Sequence, residues 1–389
     1  SLGIGGVLYM LAAFWVSSTD QEKYARQGEF AYGEFVIDYS YNLVETVERG
    51  EMELRTEHPL DSSVTEKIES IDGVERVIPV ESIPVSFETH NDDGSVRVGA
   101  LSEERAESLR DIVQEGNLSY KDMAENESII TTDGGVWEEV YGWKLEVGDE
   151  VALTWYDGRQ EREETFTVCG IIDADDFSRV SDGQPGDHTL SFLLPDVVLQ
   201  KMAGDAGLTG KLVIKTDMDK DEQIEDSLNA LLEEYPYYSL DTLRENILET
   251  ESMFTLLFSV MVGISLFIIA FALINLLNTL ITNILTRGRE FAMLQSVGMT
   301  RKQLAKMLRV EGLTLSAGNL LITLVFGTAA GYLMIWLLRY FGADYMHFVF
   351  PVWLFLGYAV FILLVPVLIT EYMVRRFRRQ TLVERLREE

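Results

Sequence analysis

The sequence contains a run of 33 residues without a charge, Met253–Leu285. A helix rises about 1.5 Å per residue, so a helical run of this length measures ~50 Å. The core of a bilayer needs only about 20 residues. The run therefore predicts a membrane helix that extends beyond the bilayer, and the rest of the fold has to be compatible with a membrane.

Three further apolar segments predict three more membrane helices. Residues 312–338 and 347–370 are uncharged and long enough to span. The opening residues 1–18 are also uncharged, but they lack the initiator Met, the basic start and the clear cleavage site of a signal peptide. We interpret them as a first transmembrane helix that is truncated at its start, with the missing part upstream.

Charge is divided sharply along the chain. Residues 20–252 contain 56 acidic and 19 basic residues, a net charge of −37, whereas the rest of the chain carries a net charge of +6. We therefore expect a strongly acidic water-soluble domain joined to an apolar part with basic edges. The acidic surface indicates either solubility in a salty environment or a cationic ligand, and it argues against nucleic acid as a partner.

Basic residues predict the orientation of the helices, because short segments rich in Lys and Arg stay in the cytoplasm. Residues 286–309 carry six basic residues and residues 375–389 carry six arginines, whereas residues 339–346 carry only Arg339. We therefore place 286–309 and 375–389 in the cytoplasm and residues 19–250 outside it. The expected location is the cell membrane, with several passes through it.

The predicted fold class is an α+β membrane protein, with four transmembrane helices and a large mixed α/β extracytoplasmic domain between the first and the second. The predicted parts are a first transmembrane helix at 1–18, the extracytoplasmic domain at 19–250, transmembrane helices two to four at 251–374 with a cytoplasmic coupling segment at 286–309, and a basic cytoplasmic tail at 375–389.

Short segments rich in β-branched and aromatic residues predict the strands of the outer domain. They are 34–39, 76–80, 149–155, 165–173, 191–195 and 211–216. Apolar residues at helical spacing predict helices between them. These are 62–71, 103–114, 196–203 and 219–234. Residues 240–252 are polar and run without Pro or Gly into the uncharged run, which predicts one continuous helix able to carry motion into the membrane.

Motifs of catalysis or metal binding are absent from the sequence. It has no G-x-x-x-x-G-K-[ST] phosphate-binding loop. Asp173–Asp176 and Asn91–Ser95 do not have the ligand spacing of an EF-hand. The four histidines, His58, His90, His188 and His347, are scattered. We predict no catalytic residue, metal or cofactor in this chain.

The segment between the second and third predicted spans carries more helix and turn signals than a simple connector needs. Phe291, Leu294 and Val297 stand at helical spacing, and Gly298 suits the end of a helix. Thr300 followed by Gln303 predicts a capping box that starts the next helix. The sequence thus predicts a short helix-turn-helix with an apolar stripe and basic flanks, which either lies on anionic lipid or binds a cytoplasmic partner.

Gly327 and Gly331 form a G-x-x-x-G motif in the third predicted span. Small residues four apart allow two helices to approach closely. The motif predicts helix packing, either within the chain or between two copies.

The segment from Arg287 to Gly312 resembles the R-x-x-E-x-x-x-L-x-x-x-G-x-[ST]-x-x-Q pattern, followed by E-G, of the FtsX-like ABC transporter permease family. The matching positions are Arg287, Glu290, Leu294, Gly298, Thr300, Gln303, Glu311 and Gly312. The order of elements resembles the MacB/LolC type, in which a MacB-like periplasmic core domain follows the first span.

This resemblance implies that the segment contacts a separate ABC ATPase, which would hold the ATP and Mg²⁺. The residues expected at that contact are Arg287, Arg289, Glu290, Phe291, Leu294, Gly298, Thr300 and Gln303. It also implies a second permease unit, as a homodimer, a heterodimer or another half of the same chain.

The expected function is mechanotransmission, in which ATP-driven motion is relayed to the outer domain for the export or extraction of a peptide, lipid or lipoprotein. The chain itself is not expected to be an enzyme. The alternative is a membrane-anchored sensor or regulator of a cell-wall hydrolase without transport.

Overall fold

The computed structural model describes residues 2–40, 51–88, 93–132, 144–172, 192–217 and 220–377. The chain divides into two compact units. One, here called the α/β unit, is Ala25–Leu248. The other, the helical unit, combines Ser1–Tyr24 with Glu249–Glu389.

The described part of the α/β unit contains ten strands joined in one sheet. They are β1 (Phe35–Tyr39), β2 (Val74–Glu88), β3 (Asp93–Leu101), β4 (Val113–Gly116), β5 (Ser128–Thr132), β6 (Glu150–Tyr156), β7 (Glu161–Ile172), β8 (Phe192–Pro195), β9 (Thr209–Thr216) and β10 (Tyr238–Thr242). Their order is β10-β1-β9-β2-β3-β8-β5-β7-β4. Strand β6 pairs with both β2 and β7, which closes β2, β3, β8, β5, β7 and β6 into a ring.

Helices are numbered along the chain through both units. They are α1 (Leu2–Ser18), α2 (Gln21–Ala25), α3 (Glu51–Glu57), α4 (Ser62–Glu69), α5 (Glu103–Leu109), α6 (Tyr120–Asn126), α7 (Asp196–Ala203), α8 (Asp221–Leu232), α9 (Leu243–Thr286), α10 (Gly288–Ser296), α11 (Arg301–Tyr340) and α12 (Val352–Phe377).

The α/β unit has two main apolar cores, one along each half of strand β2. Under β1, β9 and the first half of β2, the faces of α4 and α8 bury Ile68 and Leu228. Inside the ring, large side chains such as Phe87, Phe166 and Phe192 pack together. Strand β2 is 15 residues long and contributes to both cores, because its first half pairs with β9 and its second half with β3.

One buried and two half-buried charged side chains lie where β2 passes from one core to the other. Arg55 of α3 is fully buried, and its Nη1 donates to the Ser82 carbonyl at 2.8 Å. Both Arg55 and Arg97 pair with the Glu51 carboxylate, at 2.5 Å and 2.8 Å. Burial raises the pKa of Glu51, but the hydrogen bonds and charges of the two arginines outweigh it and lower that pKa to about 2.

The helical unit is held mainly by the contact of α1 and α12 with the long helix α11. Helix α9 has 44 residues, so it measures ~66 Å at about 1.5 Å per residue. Two described stretches are long and apolar enough to cross a membrane, Leu243–Phe271 and Lys302–Tyr340. Two shorter apolar stretches are Gly3–Ser18 and Val352–Val365.

The six predicted strands are confirmed, although their ends differ. Strands β3, β4, β5 and β10 are additions to the sequence prediction. The continuous helix begins at Leu243, three residues later than predicted. Residues 240–242 instead belong to β10, because they pair with β1.

Candidate functional site

The predicted coupling segment begins at the end of α9. Thr286 ends that helix, and α10 starts two residues later with Arg287 as its N-cap. Arg287 Nε donates to Glu290 at 3.0 Å, and its Nη1 donates to Glu311 of α11 at 3.4 Å. The hydrogen bond to Glu290 raises the pKa of Arg287. The three residues therefore tie the start of α10 to α11.

Phe291 lies under this charged group. Its side chain is only 4% exposed, and the Arg287 guanidinium stands over its ring at 5.2 Å. Leu304 and Leu308 in the first turns of α11 are also buried. Phe291 thus packs inside the helical unit, so it is not part of the surface that a partner would meet in this conformation.

An apolar face lies on the outside of α10. Leu294 is 41% exposed, Met293 is 56% exposed and Val297 is 89% exposed. Positions 293 and 297 are four residues apart, so they lie on the same face of the helix with residue 294 beside them. Met293 and Val297 were not among the predicted contact residues. Their apolar character at helical spacing was the available signal.

The turn after α10 is built as the sequence predicts. Gly298 has φ +112°, a backbone region that favours glycine, and the Met299 N–H donates to the Leu294 carbonyl at 3.0 Å. Thr300 then caps α11. Gln303 N–H donates to Thr300 Oγ1 at 3.3 Å, and Thr300 N–H donates to Gln303 Oε1 at 2.8 Å. The capping box is confirmed.

Other basic residues of the segment differ in what they contact. Lys302 and Lys306 are exposed. Arg309 pairs with Glu371, which links α11 to α12. This pair was not predicted, since the two residues are far apart in sequence. The side chains of Arg289 and Arg301 lie outside the described part of the structure.

Gly327 and Gly331 lie far along α11 from the coupling segment and face α1. A Cβ at Gly327 would stand 2.9 Å from Met10 Cβ, and one at Gly331 would overlap the Phe14 ring. Both glycines therefore permit close packing within the chain.

In the described ranges, no group of three or more His, Cys, Asp or Glu side chains is arranged to hold a metal ion. Asp173–Asp176, His90 and His188 lie outside those ranges, as do residues 378–389 of the tail.

The helices on either side of this connector include stretches long and apolar enough to cross a bilayer. Residues 262–382 match the family model "FtsX-like permease C-terminal". The match covers about a third of the chain and includes the coupling segment and most of the helical unit. Permeases of this family belong to ABC transporters, in which a separate subunit is the ATPase.

Two solved structures are similar to the chain over about half of its length. The periplasmic region of MacB from Actinobacillus actinomycetemcomitans is 14% identical, with a TM-score of 0.31, covering 56% of this chain and 92% of that one. The extracellular domain of the noncanonic ABC-type transporter YknZ from Gram-positive bacteria is 12% identical, with a TM-score of 0.29, covering 54% of this chain and 100% of that one. No curated protein matches the sequence.

Proposed function

We propose that this chain is the permease subunit of an ABC transporter and relays ATP-driven motion from a cytoplasmic ATPase to its α/β unit. The family match of residues 262–382 carries the proposal. The same match favours a permease over a membrane-anchored regulator of a cell-wall hydrolase. ATP and Mg²⁺ would be held by the ATPase subunit.

In this proposal α1, α9, α11 and α12 all cross the membrane, and the α/β unit lies outside the cytoplasm. The charge pattern supports this orientation, because the short segment 286–309 holds six basic residues whereas the short segment 339–346 holds only Arg339. A second permease unit, either another chain or another half of the same chain, would complete the transporter. The cargo would be a peptide, a lipid or a lipoprotein.

The exposed face of α10 is the proposed contact with the ATPase. Met293, Leu294 and Val297 supply apolar surface that nothing in the described part of the chain covers. Behind it, the Arg287–Glu311 ion pair ties the helix to α11, and the Phe291 ring is buried beneath the Arg287 guanidinium. The inner face of α10 holds the helix in place and the outer face meets the ATPase. A displacement of α10 by the ATPase is therefore transmitted to α11.

This contact can be tested with a double variant, Leu294→Asp with Val297→Asp. Burying two carboxylates against an apolar groove is costly, so we expect loss of ATPase co-purification from membranes. The matched control is Leu294→Met with Val297→Ile, which keeps the surface apolar and should retain the ATPase. Both variants should remain folded, because both positions are exposed.

The variant Phe291→Ala distinguishes the role of this buried residue from the role of the exposed face of α10. We expect a less stable helical unit, by about 3–5 kcal/mol for a buried aromatic, rather than a selective loss of binding. Retention of the ATPase at wild-type strength by the double Asp variant would show that α10 is not the docking element.

A further inference from the structure

The end of α1 and the loop between α11 and α12 form a short antiparallel pairing within the helical unit. Thr19 bridges to Met346. The Asp20 N–H donates to the Tyr345 carbonyl at 3.0 Å, and the His347 N–H donates to the Ser18 carbonyl at 2.8 Å. We call residues 18–24 together with residues 342–349 the clasp.

Side chains reinforce the clasp on several sides. The buried Ser18 Oγ accepts from the Val349 N–H at 3.1 Å, and Lys23 Nζ donates to the Asp344 carbonyl at 2.7 Å. Met346 is fully buried against Ile335. Backbone, polar and apolar contacts therefore act together at one place.

One residue of the clasp connects it to α9. The Tyr345 ring stands edge-on to Tyr24 at 4.8 Å, and Tyr24 stands edge-on to Phe254 at 5.2 Å. The chain enters the α/β unit directly after Tyr24 and leaves it at Leu248, six residues before Phe254. The clasp thus touches the chain close to both of its connections with the α/β unit.

Helix α11 joins the clasp to the coupling segment. It runs without a break from the capped Thr300 to Tyr340, about 60 Å for 40 residues. Phe341 and Gly342 follow, and the clasp begins there. A displacement of α11 at its capped end can therefore be delivered to the clasp by one continuous helix.

We propose that the clasp is a permanent strut, through which movement of α11 reaches both connections to the α/β unit. The inference deepens the proposed function and rests on it. Tyr345 is a positioning residue in this scheme, because it acts through Tyr24 on α9. The clasp stays closed throughout the ATPase cycle.

A disulfide tests whether the clasp stays closed. The bridging hydrogen bonds flank Thr19 and Met346, which marks them as a non-hydrogen-bonded pair with Cα atoms about 4.5 Å apart, within the range of a disulfide. The variant is Thr19→Cys with Met346→Cys, made in Cys169→Ser because Cys169 is the chain's single cysteine. The control, Thr19→Cys with His347→Cys, places the second thiol on the opposite face.

The readout is the amide exchange of residues 243–252 in the full chain bound to the ABC ATPase that co-purifies with it, with and without ATP and Mg²⁺. We expect the first pair to crosslink, the control pair not to, and the ATP-dependent exchange difference to survive the crosslink. A crosslink that abolishes the difference, and is reversed by reductant, would show that the clasp opens and overturn the strut.

The complementary experiment weakens the clasp instead of crosslinking it. Tyr345→Ala should lose the ATP-dependent difference while ATPase binding and hydrolysis persist, and Tyr345→Phe should restore it. A purely structural residue would lower thermal stability and leave the difference intact, which would overturn the proposal. Lys23→Ala, at an exposed position, gives the same test if Tyr345→Ala does not fold.

The failure of the inference and that of the proposed function are distinguishable. A missing Thr19–Met346 disulfide overturns the clasp alone. A wild-type chain that binds no ATPase overturns the proposed function, and the strut with it.

Discussion

The two units place the same residue types in opposite positions. In the α/β unit, aromatic side chains such as Phe166 and Phe192 are fully buried. In the helical unit, Phe267 is 66% exposed, and only 17% of the most apolar window of Leu243–Phe271 is buried within the chain. Water drives apolar residues inward, whereas lipid tails are as apolar as leucine and exert no such force. The exposed apolar surface of α9 therefore fits a helix surrounded by hydrocarbon.

The units also differ in what holds them together. The α/β unit has closed cores and a buried ion cluster, so its stability depends on its own interior. The helical unit depends on close approach of helices at small residues, as at Gly331, and on terminal contacts such as the Thr300 cap. Substitutions should therefore act through different physical causes in the two units.

The largest expected effect is in the α/β unit. Glu51→Ala leaves Arg55 and Arg97 close together without their carboxylate, and removing one partner of a buried pair costs about 3–5 kcal/mol. The free energy of unfolding can be measured from amide exchange in β7 of the full chain. Glu66→Ala, at an exposed position of α4, should change it by less than about 0.5 kcal/mol. Equal effects of the two variants would mean that the ion cluster does not stabilise the unit.

The same cluster predicts a pH dependence. The pKa of Glu51 is lowered from 4.5 to about 2 in the folded chain, so its stabilisation is complete above pH 4.5 and is lost as the pH falls toward 2. The shift corresponds to about 3 kcal/mol at most. The difference in unfolding free energy between wild type and Glu51→Gln isolates this carboxylate from the other acids. That difference should shrink as the pH falls from about 4.5 toward 2, and a constant difference would contradict the assignment.

A smaller effect is expected where α1 meets α11. Gly331→Leu places a side chain into the Phe14 ring, and overpacking of this kind costs about 1–3 kcal/mol. Gly318→Leu is the matched control, because a Cβ at that position has no neighbour within 4 Å. Both substitutions replace glycine by leucine in the same helix, so the gain in helix propensity is the same. Amide exchange in α1 and α11, measured in detergent, should rise for the first variant only. A rise in neither would show that the two helices separate easily.

The smallest effect is expected at the helix cap. Thr300→Ala removes one side of the capping box and should cost about 1 kcal/mol, seen as faster exchange in the first turn of α11. Thr314→Ala, whose hydroxyl donates to the Val310 carbonyl inside the same helix, should have less effect. Faster exchange along the whole of α11 would mean that the cap stabilises more than the terminus.

Local signals predicted the elements that local physics controls. The Thr300–Gln303 box and the turn at Gly298 follow from neighbouring residues, so they could be predicted from spacing alone. The six predicted strands had enough β-branched or aromatic residues to be recognised. Strand β10 did not, because Tyr238–Thr242 is polar and becomes a strand by pairing with β1.

The candidate site was predicted only in part, because local signals show its helix but not its packing. The short helix and the exposed Leu294 were foreseen, but Phe291 was assigned to the contact surface and is buried instead. Helical spacing identifies an apolar stripe. It cannot say which half of the stripe becomes buried.

The sequence by itself determined that an acidic domain is inserted between apolar segments, and where the short capped helix-turn-helix of the connector lies. Charge, hydropathy and capping are properties of neighbouring residues, and the linear order contains them. Only the tertiary structure decided that Arg97 reaches Glu51, that Gly331 receives Phe14 and that Thr19 pairs with Met346. Each of these contacts joins residues distant in the chain, and their free energy arises only once the surrounding elements have packed.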